Sequence, residues 1–475
     1  MSTAFDLPVI IQGGMGVGVS GWRLARAVSL TGHLGVISGT ALDTVLVRRL
    51  QDGDEGGHIR RAMAKFPIPG IAEPVLHRFF RPAGREPGVP YRLLSIHNHA
   101  AHQGRQLVTV LAAFVEVYLA KEGHDRPVGM NLLTKVQLPN LALLYGALLA
   151  GIEVILMGAG IPREIPGALD QLALHQPASL KLEIVGQLAE GADRIVLDPR
   201  KFWTELPAPL ARPRFLAIIA SNSLATMLAR KSSGKVDGFV IEGPLAGGHN
   251  APPRGEPRLN DRGEPIYGDR DAVDLAGIAA LGLPFWVAGG VAHPDRLVAA
   301  RAAGAAGIQV GTLFAYCDES GLTPALKESV LASVTRGEAD VITDPRASPT
   351  GYPFKVVHWP GDPDPGADRE RLCDLGGLRT LYVTPGGKIG YRCSAEPIDA
   401  YVKKGGRAED AEGRRCLCNG LTAAIGLGQT RADGHVEPPV VTSGDELLSI
   451  GGFLSGRTRY AAADVIDWLV AGQGG

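Results

Sequence analysis

The chemistry of this chain is concentrated in one histidine set among glycines. Residues 242–249 read EGPLAGGH, and the runs VAGG at 287–290 and QVGT at 309–312 come after it. Each has the form of a β-strand end that gives way to glycine. Glycine lets a backbone approach a ligand closely, and N–H groups at strand ends and helix starts bind phosphate. A histidine beside a phosphate-anchored group, His249 here, carries a proton near neutral pH. These residue types in this order point to an enzyme that works with a bound cofactor.

Such residues act only when a rigid frame holds them, and the pattern of the chain supplies one. Eight short apolar runs, each ending in glycine or a small residue, alternate with helical patterns: PVIIQGG from Pro8, LGVISG from Leu34, PVGMNLL from Pro127, EVILMG from Glu153, FLAIIAS from Phe215, GFVIEG from Gly238, PFWVAGG from Pro284 and GIQVGT from Gly307. Strands that alternate with helices pair in parallel, and eight of them favour a closed (β/α)8 TIM barrel over an open sheet. Chemistry in such a barrel sits at the C-terminal strand ends. Gln12, Asn131, Gly158, His249, Gly289 and Gln309 all fall there. The barrel is expected over residues 1–325, interrupted by insertions at about 41–107 and 178–210. Residues 326–475 change character: 343–366 is rich in Pro and Asp, short strands are expected around Leu381 and Ile389, and helices near 422–427 and over 462–470. This part reads as a smaller α+β extension that carries four cysteines and packs on the barrel.

Bulk composition excludes several classes of partner. The 475 residues carry 48 basic and 49 acidic side chains, a formal net charge of −1, so no basic surplus invites nucleic acid or an anionic membrane. Hydrophobic content of 45% and charged content of 20% fit a soluble globular chain. The opening MSTAFDLPVIIQGG lacks the basic and long apolar regions of a signal peptide, which makes the cytoplasm the expected location. The most apolar window, 138–160, is broken by Pro139, Asn140, Glu153 and glycines, and divides into a helix and a strand rather than a membrane span. Homo-oligomerisation stays open.

The segments IQGGMGVGVSG, VGMNLL, EGPLAGGH, VAGGV and GAAGIQVGTLF occur in this order. Together they resemble the nitronate monooxygenase (2-nitropropane dioxygenase) family of FMN-dependent barrels, which also includes flavin-type enoyl-acyl carrier protein reductases. The resemblance covers about residues 8–320. It implies that Gln12, Gly13, Gly14 and Met15 lie along the isoalloxazine ring and that Asn131 hydrogen-bonds the flavin. It implies that Gly289, Gly290, Gly311 and Thr312 hold the phosphate, and that Gln309 bonds near the ribityl chain. Gly158 falls among the same strand ends, and Gly247 and Gly248 pass the flavin closely and set His249 over its reactive face. The implied activity is oxidation of a nitroalkane or nitronate with O2, with His249 as base or orienting group. Two alternatives remain: an NAD(P)H-dependent enoyl-thioester reductase that meets an acyl carrier protein, and a non-catalytic flavin-binding component of a larger complex. The charged stretch after the histidine, NAPPRGEPRLNDRGEPIYGDRD, departs from the short glycine-rich run of the family and puts the lid and the substrate in doubt.

Other residues carry plainer readings. His97, His99 and His102 form HNHAAH, whose spacing has no single face, so a loop or pocket rim is favoured over a metal site. Cys373, Cys393, Cys416 and Cys418 lack the C-x2-C pair usual in zinc and iron–sulfur sites, so buried or reactive thiols are favoured over a metal. Cys317 reads as a core residue. Lys135 and Arg254 are candidates to meet an anionic substrate, against the default of a solvated charge.

Overall fold

A computed structural model describes residues 8–100, 103–188, 191–364, 366 and 369–471. Eight parallel strands form the barrel: β1 (Ile10–Gln12), β2 (Gly35–Ser38), β3 (Val128–Leu133), β4 (Val154–Gly158), β5 (Arg214–Ile219), β6 (Gly238–Glu242), β7 (Phe285–Ala288) and β8 (Gly307–Val310). They pair in the order β1-β8-β7-β6-β5-β4-β3-β2. The ring closes where Gln12 N donates to Leu34 O at 2.9 Å and Leu34 N to Ile10 O at 3.1 Å, around an Ile11–Leu34 bridge. Successive strand residues point to opposite faces, so each apolar run fills two cores. Ile11, Val36, Leu156, Leu216, Val240 and Trp286 pack in one cluster that fills the barrel interior. Their neighbours Ile10, Ile37, Ile155, Ala217, Phe239 and Phe285 pack outward with the helices. The Trp286 indole N–H donates to Pro8 O at 2.7 Å, so the large ring enters the interior with its polar atom satisfied.

The helices alternate with the strands as the pattern requires. Ser221, Asp274 and Thr323 cap the helices Asn222–Lys231, Leu275–Ala279 and Pro324–Thr335, each side chain accepting a first-turn N–H. Within 41–107 lie three helices that sequence patterning did not reveal, Leu42–Gln51, His58–Met63 and Ala72–Phe79. The first buries Asp43, Arg48 and Gln51 beside its apolar residues, and those polar positions break the stripe that marks a helix. Residues 103–121 form the long helix against the barrel.

Around 178–210, Ala178–Lys181 and Arg194–Leu197 pair antiparallel. Ile184–Val185 then pairs with Thr380–Val383, itself paired with Ile389–Arg392, so one small sheet joins this region to the C-terminal residues. The Pro- and Asp-rich stretch contains a hairpin, Asp340–Asp344 with Phe354–His358, that composition alone does not announce. Lys355 is buried in it and satisfied by Thr343 Oγ1 and Asp445, both at 2.6 Å. Among the described residues no helix is long and apolar enough to cross a membrane.

A candidate cofactor cavity at the barrel mouth

A cavity of about 260 Å3 opens at the C-terminal ends of the strands. Strand ends supply its floor: Gly13, Gly14 and Met15 after β1, Asn131 on β3, Gly158 closing β4, Gly247, Gly248 and His249 after β6, Gly289 after β7, and Gln309, Gly311 and Thr312 at β8. Sequence reasoning named all of these. Two of its residues stand apart. Gln12 is fully buried in the frame: its Oε1 accepts from Val36 N at 3.0 Å, and its Nε2 donates to Ser20 Oγ at 2.9 Å. An inward-facing glutamine at a strand end can serve the neighbouring strand instead of a ligand, and Gln12 does so. Gly290 also lies outside the lining; a Cβ there would meet the Leu245 side chain at 2.7 Å.

Close approach explains the glycines. A Cβ on Gly14 would fall 2.4 Å from the Asn131 Cβ, and one on Gly247 would fall 2.7 Å from Gly444 N. Gly289 has φ of +84°, a conformation that favours glycine, and its Cβ would meet Gly243 O at 2.9 Å. Asn131 donates to Gly14 O at 3.2 Å, while its Oδ1 and the Oε1 of Gln309 are buried with no partner. Two unpartnered acceptors at the lining of one cavity are the condition that a ligand's N–H or O–H groups would relieve.

His249 is half-buried, and its Nε2 lies 2.6 Å from Ser348 Oγ. Phe354 packs edge-on to the ring at 4.9 Å between centroids. Burial pushes the imidazole down to about 4, so it is neutral at pH 7. Glu242, at the end of β6, lines the same cavity, and burial pushes its carboxyl up to about 7. A neutral imidazole and a carboxyl poised near neutrality on one wall can move a proton at physiological pH.

The rest of the wall comes from far along the chain. Residues 440–446 cross the mouth as a strap: Thr442 Oγ1 accepts from Gly248 N at 2.9 Å, Gly444 N donates to Thr312 Oγ1 at 3.0 Å, and Asp445 N donates to Leu245 O at 3.2 Å. Glu446 Oε1 accepts from Ala292 N at 2.5 Å, so the loop after β7 already directs one amide to a carboxylate of the chain. Burial raises that carboxyl. Ser348, Glu242, Thr442, Gly444 and Glu446 escaped sequence reasoning. Only Glu242 carried a signal there, through its place in EGPLAGGH.

The rim holds a further network. Asp43 is buried at the start of Leu42–Gln51, where it takes His97 Nε2 at 2.9 Å, Arg105 at 2.7 Å and the Thr109 hydroxyl at 2.8 Å. Burial opposes its charge, but Arg105 and His97 hold the carboxyl well below its usual range. Asp43, His97 and Arg105 all line the cavity. His99 instead bonds the Tyr391 hydroxyl at 2.6 Å, and His102 lies outside the described residues. Lys135 lines the cavity but pairs with Glu183 at 2.6 Å. Arg254 lies outside the lining; it donates to Ala220 O at 2.7 Å and to Arg270 O at 2.5 Å.

A parallel eight-stranded barrel with a glycine-lined cavity at its strand ends and a histidine among the lining residues defines an α/β-barrel protein with a candidate site at the barrel mouth. Residues 208–343, which hold the last four strands of the barrel, match the nitronate monooxygenase family. Over 130 residues it is 29% identical to a probable nitronate monooxygenase of Staphylococcus haemolyticus (strain JCSC1435). The match spans 27% of this chain and 35%, about a third, of that relative. Among solved structures it is similar to FabK from Thermotoga maritima, with 18% identity, a TM-score of 0.46, and 98% and 93% of the two chains covered. It is also similar to nitroalkane oxidase from Streptomyces ansochromogenes, with 16% identity, a TM-score of 0.46, and 98% and 95% covered.

Proposed function

We propose that this protein is an FMN-dependent oxidoreductase that oxidises a nitroalkane or nitronate with O2. The observation that carries the reading is the ring of glycines from β1, β4, β6, β7 and β8 around one cavity with His249 on its wall. The residues fit a flavin. Gly13, Gly14 and Met15 line the cavity and would lie along the ring, and the unpartnered Asn131 Oδ1 and Gln309 Oε1 would accept from the ring or the ribityl hydroxyls. Gly289, Gly311 and the Thr312 hydroxyl would meet the phosphate. Bound there, FMN would supply the electron chemistry.

The chain's own residues would manage the proton. His249 is neutral at pH 7 and would take the proton α to a nitro group, or orient a nitronate already formed. Ser348 holds the ring through Nε2, and Phe354 packs edge-on against it. Glu242 would pass a proton between the cavity and the strand end.

The test is the visible spectrum of the purified chain. Nitronate added anaerobically should bleach a yellow protein, and air should restore the colour. His249→Ala should lower kcat on a nitroalkane by about 10²- to 10⁴-fold while the flavin stays bound. A colourless protein that takes up no flavin would end the proposal. Bleaching by NAD(P)H alone, with oxidation stimulated by an enoyl thioester, would replace it with a reductase.

A further inference from the structure

Cys373, Cys393, Cys416 and Cys418 are free thiols around a space of about 10 Å3, room for about one water and no ligand. More chemistry lies behind His249, in the turn that joins the hairpin strands Asp340–Asp344 and Phe354–His358. That turn is bound to the histidine loop. His249 forms an antiparallel bridge with Phe354, Asn250 N donates to Pro353 O at 2.9 Å, and Lys355 N donates to Gly248 O at 3.0 Å. The turn is also pinned from its own side. Arg414 donates to Arg346 O at 2.9 Å and to Ser348 O at 2.6 Å, Arg415 N donates to Ala347 O at 2.9 Å, and Gly351 N donates to Ser348 O at 3.1 Å. Ser348 is fully buried, so its hydroxyl has a fixed set of neighbours.

Those neighbours leave the hydroxyl little choice. His249 Nε2 lies 2.6 Å from Ser348 Oγ, Thr350 Oγ1 lies 2.8 Å from it, and Thr350 N donates to it at 3.2 Å. Thr350 Oγ1 in turn accepts from Tyr352 N at 3.3 Å. A hydroxyl has one proton to give and two lone pairs to offer. The Thr350 amide takes one lone pair of Ser348. One proton and one lone pair remain for Nε2 and Thr350 Oγ1.

Two arrangements satisfy all three groups. In the first, Ser348 donates to a bare Nε2 and accepts from the Thr350 hydroxyl, and the ring carries its proton on Nδ1. In the second, Nε2–H donates to Ser348 and Ser348 donates to Thr350 Oγ1, and Nδ1 is bare. The two differ by a shift of protons along one row, so the ring tautomer and both hydroxyls change together. Burial keeps the ring neutral at pH 7, so one nitrogen is always bare. Among the described residues Nδ1 has no hydrogen-bond partner. Thr350 is half-buried and lies outside the cavity lining to which His249 belongs, so the row leads away from the cavity.

We propose that Ser348 and Thr350 form a two-hydroxyl relay that decides which nitrogen of His249 carries the proton. Its use in catalysis rests on the proposed oxidation of a nitroalkane. In the second arrangement Nδ1 takes the proton α to the nitro group, and the C–H electron pair stays on the substrate as the nitronate. The Nε2 proton passes to Ser348 Oγ, the Ser348 proton to Thr350 Oγ1 and the Thr350 proton to water. The ring ends neutral, in the first arrangement. Run backwards, the row returns a proton from water to the cavity through Nδ1–H.

The first test needs no activity. Long-range 1H–15N spectra of the full chain carrying 15N-labelled histidine report which ring nitrogen holds the proton, with His249→Gln to assign the signals. Thr350→Val keeps the shape but leaves Nε2 as the one acceptor for the Ser348 proton. It should move the ratio of tautomers toward Nδ1–H by about tenfold, since the other form would bury a hydroxyl proton without an acceptor. Thr350→Ser replaces the hydroxyl and should bring the ratio back. A ratio indifferent to Thr350→Val, or shifted equally by Thr350→Ser, overturns the relay. The second test is kcat on a nitroalkane, which Thr350→Val should lower about tenfold and Thr350→Ser should rescue. A shifted ratio with an unchanged kcat overturns the role in proton transfer. A wild-type chain inert toward nitroalkanes ends the proposed reaction instead, and the spectra alone then decide the relay.

Discussion

Glu242 and His249 share a wall and are displaced in opposite directions by the same cause. Burial raises the Glu242 carboxyl from 4.5 to about 7. Its folded form holds a proton that the unfolded form has lost, so its stability contribution is full below 4.5 and is lost as pH rises through 7. The loss amounts to at most about 3 kcal/mol. Burial lowers His249 from 6.5 to about 4, so its contribution is full above 6.5 and is lost as pH falls through 4. Between pH 4.5 and 6.5 the two slopes oppose each other, so Glu242→Gln should turn a nearly flat stability into one that rises with pH over that range, and should abolish the loss between pH 6.5 and 7. Urea unfolding across that range checks it; a variant with the wild-type slope above pH 5 would show that Glu242 ionises freely. At this scale the sequence was legible where chemistry and spacing coincide, as at His249 and the glycines. It was silent where a partner comes from far away, as with Ser348, and about the adjacent strand that the Gln12 side chain bonds.

The strands were legible because each is a short apolar run closed by a small residue, and burial on both faces of a parallel barrel demands that composition. The helices of 41–107 were not, because buried charges such as Asp43 and Arg48 interrupt the apolar stripe. The hairpin Asp340–Asp344 with Phe354–His358 was hidden in the same way by Lys355, whose charge is answered from the strap by Asp445. The strap itself has neither helix nor strand period, and only its hydrogen bonds to Gly248, Thr312 and Leu245 reveal its role. Its seat is exacting. Gly247→Ala would drive a Cβ to 2.7 Å from the backbone of Ser443 and Gly444. That change should cost about 1–3 kcal/mol by overpacking. It should also weaken ligand binding in the cavity, seen as a lower unfolding midpoint together with a raised Kd for FMN. An unchanged midpoint would mean that the strap yields freely.

One continuous cluster of buried side chains runs from Ile10 to Leu469 and takes in strands, outer helices and C-terminal residues alike. The final helix Ala462–Val470 contributes Ala462, Val465, Ile466 and Leu469 to it and packs beside Trp22–Leu30. The shared core couples the C-terminal residues to the barrel. Far-ultraviolet circular dichroism and tryptophan fluorescence should thus report the same denaturant midpoint. Two separated midpoints would show that the C-terminal residues come away from the barrel first.

Because residues 440–446 roof a pocket whose floor begins at Gly13, that pocket is complete only once residue 446 has been made. The ribosome delivers the chain from its N-terminus at about 5–20 residues per second. The eight staves emerge well before their cover, and for many seconds a nascent molecule presents an open, glycine-lined bowl. Ligand capture accordingly waits for residues made long after the last stave, and a chain cut short before residue 440 would be a vessel without a lid.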